Sequence, residues 1–128
     1  MGNGTELGRV RGLGSAKEGT HHWWHQRLTA GSNLLLMLWL VISVARQPAY
    51  DFGALHSWMA SVWVAIPMIL LIVSVFYHFR LGLQVLIEDY QHGESRVVTM
   101  VLLNFFVIAA AAIAIFSILK IALAGVPA

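Results

Sequence analysis

His78 lies near the end of a stretch without charged residues that extends over positions 52–79, and it directly follows the largely apolar run of residues 69–77. A histidine within such an apolar stretch is costly unless its imidazole has a partner, so it indicates a functional site. A neutral imidazole is a suitable axial ligand for haem iron. Gly82 follows one turn later on the same helix face, where the missing side chain would let a flat macrocycle approach. The alternative is a histidine that is hydrogen-bonded to a neighbouring helix and binds no metal.

Asp89 and Tyr90 form a second candidate site at the end of the same predicted helix. At about 100° per residue, Asp89 falls about 20° around the helix from His78 and roughly 16 Å further along it. An aspartate and a tyrosine at a membrane surface could hold and protonate a small lipophilic acceptor, because the phenol can donate to a carbonyl oxygen. The alternative is an acidic helix end with an interfacial tyrosine.

Basic side chains precede the first apolar window. Arg27 stands directly before it, where its guanidinium could bind a carboxylate, including a haem propionate, or a lipid phosphate. His21, His22 and His25 have a spacing that could support a metal ion, but this segment has no carboxylate or thiolate to complete the ligand set. We therefore expect an interfacial hydrogen-bonding cluster, with a bound ion as the alternative.

The composition excludes an ordinary soluble domain. Of the 128 residues, 59% are hydrophobic and 11% are charged, with a mean hydropathy of +0.74. Soluble chains carry roughly 25% charged residues. The formal net charge of +2 is too small to indicate binding to nucleic acid. Because the sequence has no cysteine, it offers no thiolate ligands for an iron–sulfur cluster.

Three windows without charge predict three helices that cross a membrane. They span residues 28–45, 52–79 and 97–119, or roughly 27, 42 and 35 Å as helices, against a hydrocarbon core of about 30 Å. Runs that are apolar on every face argue against barrel strands. We therefore predict an all-α integral membrane protein whose second helix is tilted, or is bent at Pro67. The predicted spans cover approximately 28–46, 55–87 and 97–120.

The N-terminal part of the chain differs in composition from the rest. Residues 1–20 hold six of the eleven glycines, which predicts an irregular arm before a three-helix domain over 21–128. Trp23 and Trp24 lie where an interfacial aromatic belt is expected. Lysine and arginine favour one side of the membrane, so we expect a cytoplasmic N-terminus and a cytoplasmic second loop. The residues on that side are Arg9, Arg11, Lys17, Arg27, Arg80 and Arg96, against Arg46 and Lys120 on the other.

The sequence resembles the hydrophobic membrane anchor of succinate dehydrogenase over nearly its whole length. Two motifs carry the resemblance. The first is Leu7-Gly8-Arg9…Gly12-Leu13-Gly14-Ser15-Ala16…His21…Arg27-Leu28-Thr29-Ala30, and the second is His78-x3-Gly82-x-Gln84-Val85-Leu86-x2-Asp89-Tyr90. The tandem Trp23-Trp24 and His25 have no counterpart to which the resemblance assigns a role.

The resemblance implies a subunit of an enzyme in the bacterial inner membrane that cannot catalyse the reaction alone. Its expected partners are a second anchor subunit, a flavoprotein that oxidises succinate and an iron–sulfur protein that passes electrons to ubiquinone. A haem b would lie between the two anchor subunits, with His78 as one axial ligand and Arg27 near the propionates. His21 would lie in the vicinity of the propionates, and Tyr90 with Asp89 would contact the quinone.

The residues are also consistent with two other functions. One is a haem-free structural membrane anchor of a redox complex, in which His78 is only hydrogen-bonded. The other is a small transporter subunit in which His78 and Asp89 form a proton relay.

Overall fold

The computed structural model describes residues 19–124, and every regular element in this range is a helix. The four helices, in chain order, are α1 (Gly19–Ala45), α2 (Phe52–Ala60), α3 (Val62–Tyr90) and α4 (Glu94–Ala124).

Three of these helices are long and apolar enough to cross a membrane. They are α1, α3 and α4, with 27, 29 and 31 residues, or roughly 40–47 Å at the helical rise. The prediction of an all-α chain with three membrane-spanning helices is confirmed. Because α1 begins at Gly19, the last two positions of the predicted arm over 1–20 belong to a helix. Residues 1–18 of that arm lie outside the described part of the chain.

The segment that the sequence assigns to one helix over 55–87 is divided. Ser61 takes an extended conformation, with φ −68° and ψ 129°, and separates α2 from α3. Its N–H donates to the carbonyl of Trp58 and its carbonyl accepts from Ala65, so the break leaves these groups paired. The interruption therefore falls at Ser61, and Pro67 lies within α3.

Helix α3 is the central element, because among the three long helices it alone packs closely against both others. Its face toward α4 carries the apolar core. Ile87 packs there with Leu103 and Val107 of α4, all less than 9% exposed. In the same interface the Arg80 Nε donates to the Asn104 side-chain carbonyl, so the arginine has a partner between the two helices.

The face of α3 toward α1 is polar by comparison. Ser74 donates to the Ser32 hydroxyl across this interface at 3.1 Å. No residue of α1 is buried within the described chain, and Leu34 and Leu35 on this helix are 70% and 69% exposed. An apolar helix with such exposure must be covered by lipid or by another helix.

Candidate functional site

His78 contacts α1 through a single hydrogen bond. Its Nδ1 lies 2.9 Å from the Thr29 Oγ1, and this is its one hydrogen bond with any residue of the range 19–124. The imidazole is half-buried between α1 and α3. Ser74, one turn earlier on α3, contacts Ser32 of α1. The structure therefore places His78 on the polar seam between these two helices.

Gly82 lies on the same seam, one turn beyond His78. A Cβ at this position would lie 3.7 Å from the Gln26 Nε2, an ordinary van der Waals distance. The glycine also lines a groove of about 640 Å³ between the start of α1 and the end of α3. Two polar atoms at this groove, the His22 Nε2 and the Gln26 Oε1, are buried without a hydrogen-bond partner in the described chain.

The structure does not bring Arg27 or His21 to His78. The Arg27 guanidinium carbon lies 5.0 Å from the centre of the Trp23 ring, a cation–π contact along α1. At about 100° per residue, Arg27 faces about 160° away from Thr29 around α1. Both Arg27 and His21 are exposed in the isolated chain. Arg27 therefore points away from the seam that holds His78.

Asp89 and Tyr90 are the last two residues of α3, and both are exposed. The Tyr90 side chain is 79% exposed and borders a shallow cavity of about 290 Å³ with Leu86, Ile87 and Gln91. Tyr90 lies roughly 18 Å along the helix from His78, since twelve residues separate them. The two candidate sites are thus distinct places on one helix.

The histidines at the start of α1 do not converge on a metal site. The His25 Nδ1 lies 3.2 Å from the Tyr77 hydroxyl, whereas His22 lines the groove next to Gly82. Over positions 19–124 no three His, Asp or Glu side chains are grouped so that they could hold a metal ion. The hydrogen-bonding interpretation of His25 agrees with this geometry, and the alternative of a metal ion bound by His21, His22 and His25 does not.

Sequence reasoning missed two sets of polar contacts near the site. One is Thr29, the partner of His78. The other links Glu88 to Gln84 at 3.1 Å and to the Arg96 guanidinium at 3.3 Å. A signal existed for the first set, because Thr29 and Ser32 are polar residues spaced three apart, a pattern typical of contacts between membrane helices.

The fold and the site define a multi-pass α-helical membrane protein with a histidine held between two spanning helices. Its residues 1–119 match the family described as "Succinate dehydrogenase/Fumarate reductase transmembrane subunit". The match covers most of the chain, and the protein belongs to this family.

Curated relatives agree with this assignment. A succinate dehydrogenase hydrophobic membrane anchor subunit of Rickettsia bellii is 30% identical, over 87% of this chain and 92% of the relative. The subunit of the same description from Paracoccus denitrificans is 28% identical over 91% of both chains. A succinate dehydrogenase membrane anchor subunit of Reclinomonas americana is 31% identical over 72% of this chain and 80% of its own. No solved structure matches the chain significantly.

Proposed function

We propose that this membrane anchor subunit of succinate dehydrogenase supplies one axial ligand of haem b, His78, and part of a ubiquinone-reduction site, Asp89 and Tyr90. The observation that carries the first part is the hydrogen bond at the His78 Nδ1. A histidine that ligates a metal through one ring nitrogen usually makes a hydrogen bond through the other. In the described chain the second nitrogen, Nε2, makes no hydrogen bond, so it is free to act as a ligand.

Two features one turn beyond His78 support the haem proposal. Gly82 leaves α3 without a side chain there, and it lines a groove of about 640 Å³, of which His78 itself is not a lining residue. The unpartnered His22 Nε2 and Gln26 Oε1 at this groove could pair with polar groups of a bound molecule. When bound, haem b accepts and donates single electrons.

Two further residues extend the haem proposal. Arg27 and His21 would serve the propionates, as the family resemblance implies. Both are exposed in the isolated chain, and Arg27 faces away from Thr29 and the seam. A propionate could therefore meet Arg27 only on the side of α1 that α3 leaves uncovered, where the second anchor subunit would lie.

The proposed quinone contacts are made by the end of α3. The Tyr90 hydroxyl can donate to a quinone carbonyl, and the Asp89 carboxylate can accept or supply a proton at the same interface. Both side chains are exposed and therefore accessible to a lipophilic substrate and to a docked iron–sulfur subunit. The bias of lysine and arginine puts this end of α3 on the cytoplasmic side, in a bacterial inner membrane.

The proposed partners follow from membership of the succinate dehydrogenase family. A flavoprotein would hold the flavin, and an iron–sulfur subunit would hold the clusters, for which this chain has no cysteine ligands. A second anchor subunit would supply the other axial ligand of the haem, as the family resemblance implies. The outer face of α1, where Leu34 and Leu35 are exposed, offers an apolar surface for that subunit or for lipid.

A haem-free structural anchor is the second candidate, because the bond between His78 and Thr29 is compatible with it as well. This bond partly satisfies the imidazole without any metal. The geometry argues against a proton relay between His78 and Asp89. Roughly 16 Å separates the two positions along the helix, and no hydrogen-bond chain joins them in the residues described.

The test is the haem spectrum of the purified complex with His78→Ala. We expect the variant to co-purify with the flavoprotein and iron–sulfur subunits but to lose the reduced-minus-oxidised haem band. His92→Ala is the matched control, because His92 is exposed in the turn between α3 and α4 and should leave the band intact. An undiminished haem band in His78→Ala would reject the ligand assignment and favour the haem-free anchor.

A further inference from the structure

We propose that Thr29 is a positioning residue for His78. Its hydroxyl accepts the Nδ1–H of the imidazole and thereby holds the ring in the tautomer whose Nε2 lone pair is free for a metal. This inference rests on the proposed role of His78 as haem ligand. It adds that a hydroxyl on a different helix, α1, orients the imidazole for that role. The contact joins the Thr29 Oγ1 and the His78 Nδ1 at 2.9 Å.

The direction of this hydrogen bond follows from the other contacts of the hydroxyl. The Thr29 Oγ1 lies 2.8 Å from the carbonyl oxygen of His25 and 3.2 Å from that of Gln26. A carbonyl oxygen can only accept, and a threonine hydroxyl has one hydrogen to donate. When that hydrogen is donated within α1, the oxygen lone pairs remain for a donor, and the imidazole can provide one only at a protonated Nδ1.

The position of the hydroxyl is fixed by the packing of α1 on α3. One turn further along α1, Ser32 accepts from Ser74 at 3.1 Å. One turn earlier, Gln26 passes Gly82 closely enough that a Cβ there would touch its amide. A β-branched threonine that bonds its own helix also has little rotamer freedom. The hydroxyl is therefore held on both sides along the seam, and the imidazole ring has a fixed acceptor.

The physical effect expected from this bond is on the electronic character of the imidazole. An acceptor at Nδ1–H makes Nε2 a more basic ligand. A more basic ligand stabilises the oxidised iron relative to the reduced iron, so removing the acceptor favours reduced haem. A hydrogen bond between neutral groups changes an equilibrium by roughly two- to tenfold, and we expect a change of this size in the ratio of reduced to oxidised haem.

The experiment compares Thr29→Val with Thr29→Ser in the purified, haem-containing complex. Valine keeps the shape and removes the hydroxyl, whereas serine keeps the hydroxyl. At a fixed ambient potential, we expect Thr29→Val to raise the ratio of reduced to oxidised haem roughly two- to tenfold, and Thr29→Ser to match the parent. Loss of haem from the valine variant alone would support the inference as well, because the hydroxyl would then be needed to keep the ligand in place.

Two controls separate this inference from its alternatives. Thr99→Val removes a comparable hydroxyl, which bonds the Ser95 carbonyl on α4 and contacts no histidine, and it should leave the ratio unchanged. His78→Ala tests the haem assignment itself. Suppose that His78→Ala abolishes the haem band. The role of Thr29 is then refuted if Thr29→Val leaves the ratio of reduced to oxidised haem unchanged, or if Thr29→Val and Thr29→Ser change that ratio or lose haem to the same extent. The role of His78 stands in either case. If His78→Ala keeps its haem band, the proposed function fails, and this inference fails with it.

Discussion

Replacing Gly93 with alanine should destabilise the connection between α3 and α4. Gly93 has φ +67°, in the left-handed region, and a Cβ built there meets nothing within 4 Å. The cost therefore comes from the residue's own backbone, about 1–2 kcal/mol for an L-residue in this conformation. Alanine also reduces the entropy of the unfolded chain, which offsets about 0.4–1 kcal/mol. We expect a net loss of about 1 kcal/mol.

The assay is the temperature at which half of this chain remains with its soluble partners after the purified complex is heated. A loss of this size should lower that temperature by about 2–4 °C, if the unit that unfolds has 150–250 residues. Gly93→Asn should cost less, because asparagine tolerates the left-handed region.

Gly31→Ala is the matched control. Gly31 lies within α1, has ordinary helical dihedrals, and its Cβ would also meet nothing within 4 Å. Alanine there should be neutral or stabilising, by up to about 1 kcal/mol. If Gly93→Ala proves as harmless as Gly31→Ala, the turn does not depend on the left-handed conformation, and the reasoning is refuted.

Three further predictions concern the proposed quinone site, the proposed contact of Arg27 with a haem propionate, and the α3–α4 interface. Tyr90→Phe should keep assembly and haem but slow succinate-driven quinone reduction, since only a hydroxyl is lost, and Asp89→Asn should lower that turnover more than it lowers haem content. Arg27→Gln should weaken haem retention, measured as haem per complex after detergent washing, if the guanidinium pairs with a propionate. Asn104→Leu should destabilise the subunit by about 1 kcal/mol, measured by the same heating assay, because it leaves Arg80 without its acceptor between two membrane helices.

Each of these predictions has a result that contradicts it. Normal quinone turnover in Tyr90→Phe would remove the phenol from the site, and early haem loss in Asp89→Asn would make that carboxylate structural. Full haem retention in Arg27→Gln would favour the lipid-phosphate interpretation of the arginine. For Asn104, the double variant with Arg80→Met should recover part of the lost stability, and strict additivity would show that the two side chains are not coupled.

The sequence was sufficient for the membrane architecture. Charged residues are excluded from lengths of chain that match the hydrocarbon core, so the three windows predicted three spanning helices without any knowledge of their packing. The same reasoning singled out His78, because a polar side chain stands out in an apolar run. It could not place the break at Ser61, because a helix end between two apolar segments depends on local hydrogen bonds that hydropathy does not report.

The site is predicted only in part, because spans that are apolar on every face carry little information about how each helix is rotated. The sequence indicated that His78 and Asp89 share a face of one helix. Only the packing of α1 against α3 decided that this face meets Thr29 and Ser32, and that Arg27 points elsewhere. The composition of a segment determines whether it lies in lipid or in water. The rotation and register of neighbouring helices depend instead on contacts between residues far apart in sequence. Those contacts determine that the Nδ1 of His78 faces Thr29 and that its Nε2 has no hydrogen-bond partner in the described chain.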